Sequence, residues 1–191
     1  LLNSQNNRFQ DQSSVNIEFV SANPTGPLHL AHGRGAIVGD VLSNLYQFYG
    51  HNVTREYYVN NTGNQINEFL SSILFHISSK HNLNLPYQQF YKGDYIQELA
   101  EKCFENFKNI FESPKLSKDE ELQIVNFAIE NLVNQSLKTL KDSGINFDQI
   151  TYETSIVEKK LLPEIIKDLE KKGLVYHGQL HDPKDFQGTK K

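Results

Sequence analysis

The chain has 191 residues and a formal charge of −4, with 38% hydrophobic and 22% charged residues, which suits one well-filled globular domain, with or without an insertion. That balance excludes an overall polybasic nucleic-acid binder but is compatible with a local basic face. The lone Cys103 can form no intramolecular disulfide, no stretch reaches the ~18 apolar residues of a membrane span, and no signal-peptide pattern opens the chain, so the expected setting is the cytoplasm.

Residues 1–14 are polar and aperiodic and read as a linker from a missing N-terminal domain. The absence of methionine, even at position 1, also points to a piece of a longer protein. Val15–Val20 alternates and is rich in β-formers, so a strand is expected there. A loop punctuated by Pro24, Gly26 and Pro27 follows. From about Leu30 to Tyr49 a helix is expected, with Ala31, Ala36, Ile37, Val38, Val41, Leu42, Leu45 and Phe48 as its apolar stripe and Gly50 as its C-cap. Asn52–Val59 returns to strand character. Strand, loop, helix and strand form the unit from which parallel sheets are wound, which sets the fold class as α/β.

Beyond the turn-rich Asn60–Gly63 the pattern becomes helical, first over Gln65–Ser79. A loop with Pro86 and the cluster Tyr91–Tyr95 leads to two more helices, roughly 95–111 and 118–143. The second opens on the acids Asp119, Glu120 and Glu121 and stops at Gly144. Ile145–Tyr152 reads as strand or extended chain, Pro163 opens a helix running to Lys172, and Leu174–Tyr176 reads as a short strand before a polar tail. Residues 15–63 are thus a first β-α-β unit, 64–143 a helical insertion too long for an ordinary crossover, and 144–191 a truncated return to the sheet domain.

The chemistry concentrates between the first strand and the first helix. His29 and His32 stand three residues apart at a helix opening, where unpaired N–H groups and the helix dipole favour phosphate. Two imidazoles there can donate to a pentacoordinate phosphorus without a covalent role. A shared metal ion is disfavoured because no third ligand sits at a partner spacing. Gly26, Gly33 and Gly35 let a nucleotide approach the backbone, yet neither of the two commonest glycine-rich nucleotide fingerprints is present. Glu18, Ser21 and Asn23 lie at the carboxyl end of the strand, the ligand edge of an open α/β sheet. They fit a guanidinium, whose planar fork matches a carboxylate, and they fit equally a solvated edge charge with two turn-forming residues. Arg34 and Arg55 are phosphate or substrate candidates, with a surface salt bridge the plainer role for Arg55. Tyr57, Tyr58, Asn60, Asn61 and Gln65 gather at the end of the second strand.

Read as a run, Val15–Gly35 resembles the signature region of bacterial-type arginyl-tRNA synthetases. Its motif is Ala22, Asn23, Pro24, Thr25, Gly26, Pro27, Leu28, His29, Leu30, Ala31 and His32, with Ala31 where class I synthetases carry the glycine of His-x-Gly-His. Arg55–Ile66, Tyr91–Ile96, Gly144–Asp148 and Gly173–Tyr176 extend the resemblance along nearly the whole chain. It implies half of a Rossmann-like class I catalytic domain with a mostly helical insertion. The implied activity is that of an arginine–tRNA ligase, which joins L-arginine to ATP as arginyl-adenylate and then esterifies tRNA(Arg). Carried over by position, Ser21 and Asn23 bind arginine, Glu18 meets its guanidinium, and Gln65 belongs to the same pocket. His29 and His32 steady the ATP phosphates, and Pro24, Gly26, Gly33 and Gly35 lie against the nucleotide. Mg²⁺ accompanies the ATP, no cofactor is held tightly, and the implied parent is a monomer with no membrane partner. A Lys-Met-Ser-Lys-like loop, the second half of the sheet, the anticodon-binding domain and the N-terminal tRNA-contacting domain are not found in the chain. Alone it is therefore expected not to aminoacylate. The alternatives are a non-catalytic truncated relative that binds nucleotide, tRNA or a protein, and a nucleotidylyltransferase unrelated to translation. Glu18–Gly35 argues against the latter, because its pocket residues fit arginine and are not needed for generic adenylyl transfer.

Overall fold

Three segments rich in β-formers pair in parallel in the order β1 (Ser14–Glu18), β2 (Asn52–Val59) and β3 (Gln149–Tyr152). Ile17 lies opposite Arg55 in the first ladder and Tyr57 opposite Ile150 in the second. The computed structural model describes residues 13–113, 115–159, 161–176 and 178; most of the expected N-terminal linker and the polar tail after His181 lie outside them. The chain divides into two compact units, Leu1–Thr154 and Ser155–Lys191.

In the first unit, α1 (Leu30–Phe48) joins β1 to β2, and α2 (Asn64–His81), α3 (Asp94–Asn106), a 3-10 turn (Lys108–Glu112) and α4 (Lys118–Asp142) stand between β2 and β3. These helices and the sheet share one apolar core. Tyr57 and Val59 of β2 meet Phe69, Ile73 and Ile77 of α2, Ile96 and Cys103 of α3, and Ile124, Ile129 and Val133 of α4, all buried. Burial pushes the Cys103 thiol up to about 12, so it is a packing group without nucleophilic character. The string Lys115–Lys118 serves the start of α4. Ser117 Oγ accepts from the Glu120 N–H, and the Glu120 carboxylate accepts from the Ser117 N–H at 2.7 Å, a capping box.

Alternation gives the sheet two unlike faces. Val53, Tyr57 and Val59 point into the core, while Asn16, Thr54, Glu56, Gln149 and Thr151 share the polar face. There Glu56 accepts hydrogen bonds from Thr151, Asn16 and Gln149 (the last 3.1 Å), which hold its carboxyl below the usual value.

Several elements differ from the periodicity. The first strand ends at Glu18, because Val20 and Ser21 take positive φ (68° and 39°) and turn the chain out of the sheet. Of the expected apolar stripe of α1 only Ala36 packs inward. Ala36, Gly39 and Ser43 are buried, whereas Ile37 and Phe48 are 62% and 77% exposed. Phe19 occupies the space beneath α1, so only small residues fit against the sheet. The C-cap of α1 is Tyr49, with Gly50 one residue beyond. The helix expected over 95–111 breaks at Phe107, which leaves helical geometry and packs on Phe127, while Phe111 reaches Phe104 at 5.4 Å. Over 145–152 only the last residues are strand. Ile145 instead closes α4 through its N–H to Leu140 O. Directly after β3 comes a short helix, α5 (Glu153–Glu158), which the pattern did not signal.

In the second unit, α6 (Leu161–Lys171) begins two residues before Pro163, whose fixed φ suits a first turn. The strand expected at Leu174–Tyr176 is absent. Gly173, at φ 67°, lets its own N–H reach Glu170 O and the Leu174 N–H reach Leu169 O, so this segment seals the end of α6.

Candidate functional site

The loop between β1 and α1 is held by its neighbours at four points. The two residues in left-handed conformation bring Ser21 Oγ to the backbone N–H of Tyr58, from which it accepts at 3.0 Å. Ala22 O accepts from the Tyr57 hydroxyl at 3.3 Å. Thr25, only 5% exposed, is bound twice. Its Oγ1 accepts from Gln65 Nε2 at 3.2 Å, and its carbonyl accepts from the Tyr95 hydroxyl at 2.9 Å. Tyr57 is thus buried to its hydroxyl, and burial raises the pKa of both Tyr57 and Tyr95, so both hydroxyls stay protonated donors.

Past Pro27 the chain enters α1 with His29 as the N-cap residue, its backbone extended at φ −125°. The rings of His29 and His32 stack with centroids 3.7 Å apart, and the His29 N–H donates to His32 Nδ1 at 3.2 Å. That bond fixes the tautomer, because an accepting Nδ1 leaves the proton of a neutral imidazole on Nε2. Burial, and then the neighbouring His29, lower the pKa of His32 below 6.5. At neutral pH His32 thus presents an Nε2–H donor without its own charge. The first turn of α1 carries no acidic side chain to repel an anion, although its His32 N–H is already bonded to His29 O at 2.9 Å.

The other expected residues divide. Glu18 and Asn23 are exposed at the carboxyl end of β1, with Ser21 between them half-buried. Pro24 is buried in the loop and Gly26 lies beside the Tyr95 ring. Gly33 and Gly35 have no atom within 4 Å of where a Cβ would stand, so they face open space. Gln65 is joined to the loop through Thr25 and makes no bond to Glu18, Ser21 or Asn23. Arg34 is exposed at the same helix start. Arg55 points the other way. Its guanidinium donates to Asn44 Oδ1 (2.8 Å) and Gln47 Oε1 (3.0 Å) and pairs with Asp40 and Asp148, tying β2 to α1.

For two residues the sequence singled out, composition and spacing did not reveal the partner. Tyr95 lay in a conspicuous cluster, but nothing local named its partner at Thr25. Asn61 exchanges two hydrogen bonds with Thr154 (2.9 and 3.1 Å), joining the end of β2 to the start of α5.

A parallel sheet whose first strand runs into a glycine- and proline-rich loop and a His-x-x-His helix start defines an α/β domain of the crossover-connected class. Residues 1–180 match the family described as tRNA synthetases class I (R), catalytic domain. The arginine–tRNA ligase of Pelagibacter ubique is 42% identical over 187 residues, and that of Rickettsia canadensis 39% over 173. Those alignments cover 94% and 89% of this chain but only 31% and 30% of the relatives, so the chain spans about a third of their length. A Campylobacter jejuni crystal structure described as an arginyl-tRNA synthetase superposes with a TM-score of 0.74 at 34% identity, covering 89% of this chain and 37% of that one. A Thermus thermophilus arginyl-tRNA synthetase, 16% identical with a TM-score of 0.53, shares the fold over 83% of this chain and 26% of its own. The chain belongs to the class I (R) tRNA synthetase family and carries part of its α/β catalytic domain.

Proposed function

We propose that the protein containing this chain is an arginine–tRNA ligase, which activates L-arginine with ATP and transfers the arginyl group to tRNA(Arg). The observation that carries this reading is the stacked His29–His32 pair at the start of α1, with Glu18 exposed at the end of β1. In the first step an oxygen of the arginine carboxylate attacks the α-phosphorus and pyrophosphate leaves. In the second a ribose hydroxyl of the tRNA attacks the acyl carbon and AMP leaves. Negative charge grows on the phosphoryl oxygens in the first step, where His32 Nε2–H, His29 and the N–H groups of α1 stabilise it. Positioning and charge stabilisation suffice, and no covalent enzyme intermediate is needed.

Glu18 is assigned to the guanidinium, with Ser21 and Asn23 holding the rest of the amino acid. Ser21 Oγ already accepts from Tyr58, which leaves its own proton to donate. Gln65 lends the pocket its carbonyl oxygen while its amide nitrogen braces Thr25. Pro24, Gly26, Gly33 and Gly35 form the surface against which ATP lies. The loop offers imidazoles and amides but no carboxylate, a donor set suited to phosphate oxygens. Mg²⁺ is accordingly assigned to the ATP, with no residue of this loop as its ligand. Among the described residues no helix is long and apolar enough to cross a membrane. A monomeric cytoplasmic enzyme completes the reading, with the 191-residue chain inactive alone.

The test is amino-acid-dependent ATP–pyrophosphate exchange by the full-length protein with tRNA present. Arginine should be the preferred substrate, and His29→Ala and His32→Ala should each reduce exchange by roughly 10²-fold. Preference for another amino acid overturns the assignment. Nucleotide binding without exchange identifies a non-catalytic relative.

A further inference from the structure

Thr25 sits at the centre of the Pro24–Pro27 loop, and its buried carbonyl finds its partner 70 residues away, in the Tyr95 hydroxyl. Tyr95 is the second residue of α3, and the path that brings it there is itself anchored. The N–H groups of Phe90 and Tyr91 both donate to Ser72 Oγ of α2 at 2.9 Å, and the Gln88 N–H donates to Ser71 Oγ. Gly93, at φ 125°, then turns the chain so that α3 starts with Tyr95 facing the loop. A Cβ on Gly26 would stand 3.7 Å from the Tyr95 oxygen, so ring and loop are in direct reach. Pro24 and Pro27 fix φ on either side of Thr25, which reduces the conformations open to the residues that link Thr25 to His29.

We propose that Tyr95 is a positioning residue for the phosphate-handling loop: through Thr25 it fixes where the His29–His32 pair stands, although it belongs to the helices between β2 and β3 and touches no substrate. The proposal rests on the reading of this loop as the ATP site. Without the hydroxyl, the Thr25 carbonyl is left unpaired in a buried position. The loop must then shift to reach water, and the imidazoles shift with it. A displacement of that kind lowers the rate of a step that depends on alignment more than it weakens arginine binding, whose guanidinium partner Glu18 lies in β1, outside the loop.

The experiment compares full-length wild type, Tyr95→Phe and Tyr91→Phe. Tyr91 packs edge-to-face on Phe69, with centroids 5.8 Å apart, and does not bond the loop. Tyr95→Phe should lower kcat for arginine activation about tenfold or more, with KM for arginine within about twofold. Tyr91→Phe should match wild type. In ¹³C-histidine-labelled protein, Tyr95→Phe should shift or broaden the ring signals of His29 and His32 and leave that of His51 in place. Wild-type kcat together with unmoved His29 and His32 signals overturns the proposal. So does a fall in kcat matched by a general loss of thermal stability, which marks a merely structural side chain. If wild type shows no arginine-dependent exchange, the reading of function fails, and the histidine signals still decide whether Tyr95 places the pair.

Discussion

Gly39 of α1 lies against the ring of Phe19: a Cβ on Gly39 would stand 2.2 Å from Phe19 Cγ, inside any permitted contact. Phe19 also packs on Phe147 with centroids 4.6 Å apart, so it cannot swing aside without disturbing the approach to β3. This close approach sets the height of α1 over the sheet, and Phe19 is the residue from which the site loop departs. Gly39→Ala should therefore destabilise the protein by about 2 kcal/mol, despite the gain of up to about 1 kcal/mol in helix propensity. Thermal unfolding of the full-length protein checks this, and an unchanged or raised midpoint contradicts it.

Gly33 offers the opposite case. It is inside α1, and no atom lies within 4 Å of an added Cβ. Gly33→Ala should raise stability by roughly 0.5–1 kcal/mol through backbone entropy. If the nucleotide lies against this turn, the same methyl should raise KM for ATP several-fold. A stabilised variant with wild-type KM for ATP removes Gly33 from the nucleotide surface.

The pH dependence follows from His32 and Glu56. His32 has a folded pKa below its ordinary 6.5, so the unfolded chain binds its proton more readily. Its contribution to stability is present above pH 6.5 and is lost as the pH falls through the lower folded value. Protonated Nδ1 also cannot accept from the His29 N–H, so the imidazole pair loosens in the same window. Glu56, likewise depressed below 4.5, adds a second loss at more acidic pH. Titration of the His32 ring by NMR should show a midpoint below 6.5, and a midpoint at or above it contradicts the His32 contribution.

Arg55 separates stability from substrate binding. Replacing it with Leu removes its bonds to Asn44 and Gln47 and leaves Asp40 without its cation, at a cost of about 1–2 kcal/mol. Because the guanidinium faces α1, KM for arginine should stay within about twofold once the variant is folded. A large rise in that KM with unchanged stability would place Arg55 in the pocket.

Much of the fold was legible because its signals are local. The alternation in Asn52–Val59 marks β2 and also states which face is polar, since period two admits one assignment. Ser117 with Glu120 announces the start of α4, and Gly144 its end, because capping is settled within one turn. The site loop was legible as a loop for the same reason: Pro24, Gly26 and Pro27 exclude regular structure. One failure is itself local. Leu174–Tyr176 has strand composition, yet the helix end preceding it captured its backbone N–H.

The sequence by itself determined the order of the main strands and helices, the start of α4, which strand face is polar, and that a histidine pair opens α1, since each depends on residues within a few positions. Tertiary structure decided what those elements meet. It buried Ala36, Gly39 and Ser43 of α1 in place of the larger apolar stripe, because Phe19 had taken the room beneath. It also turned Arg55 toward Asp40 and bound Thr25 to Tyr95. Such contacts join segments remote in the chain, and their geometry is set by how helices and sheet share a core, which no local pattern encodes.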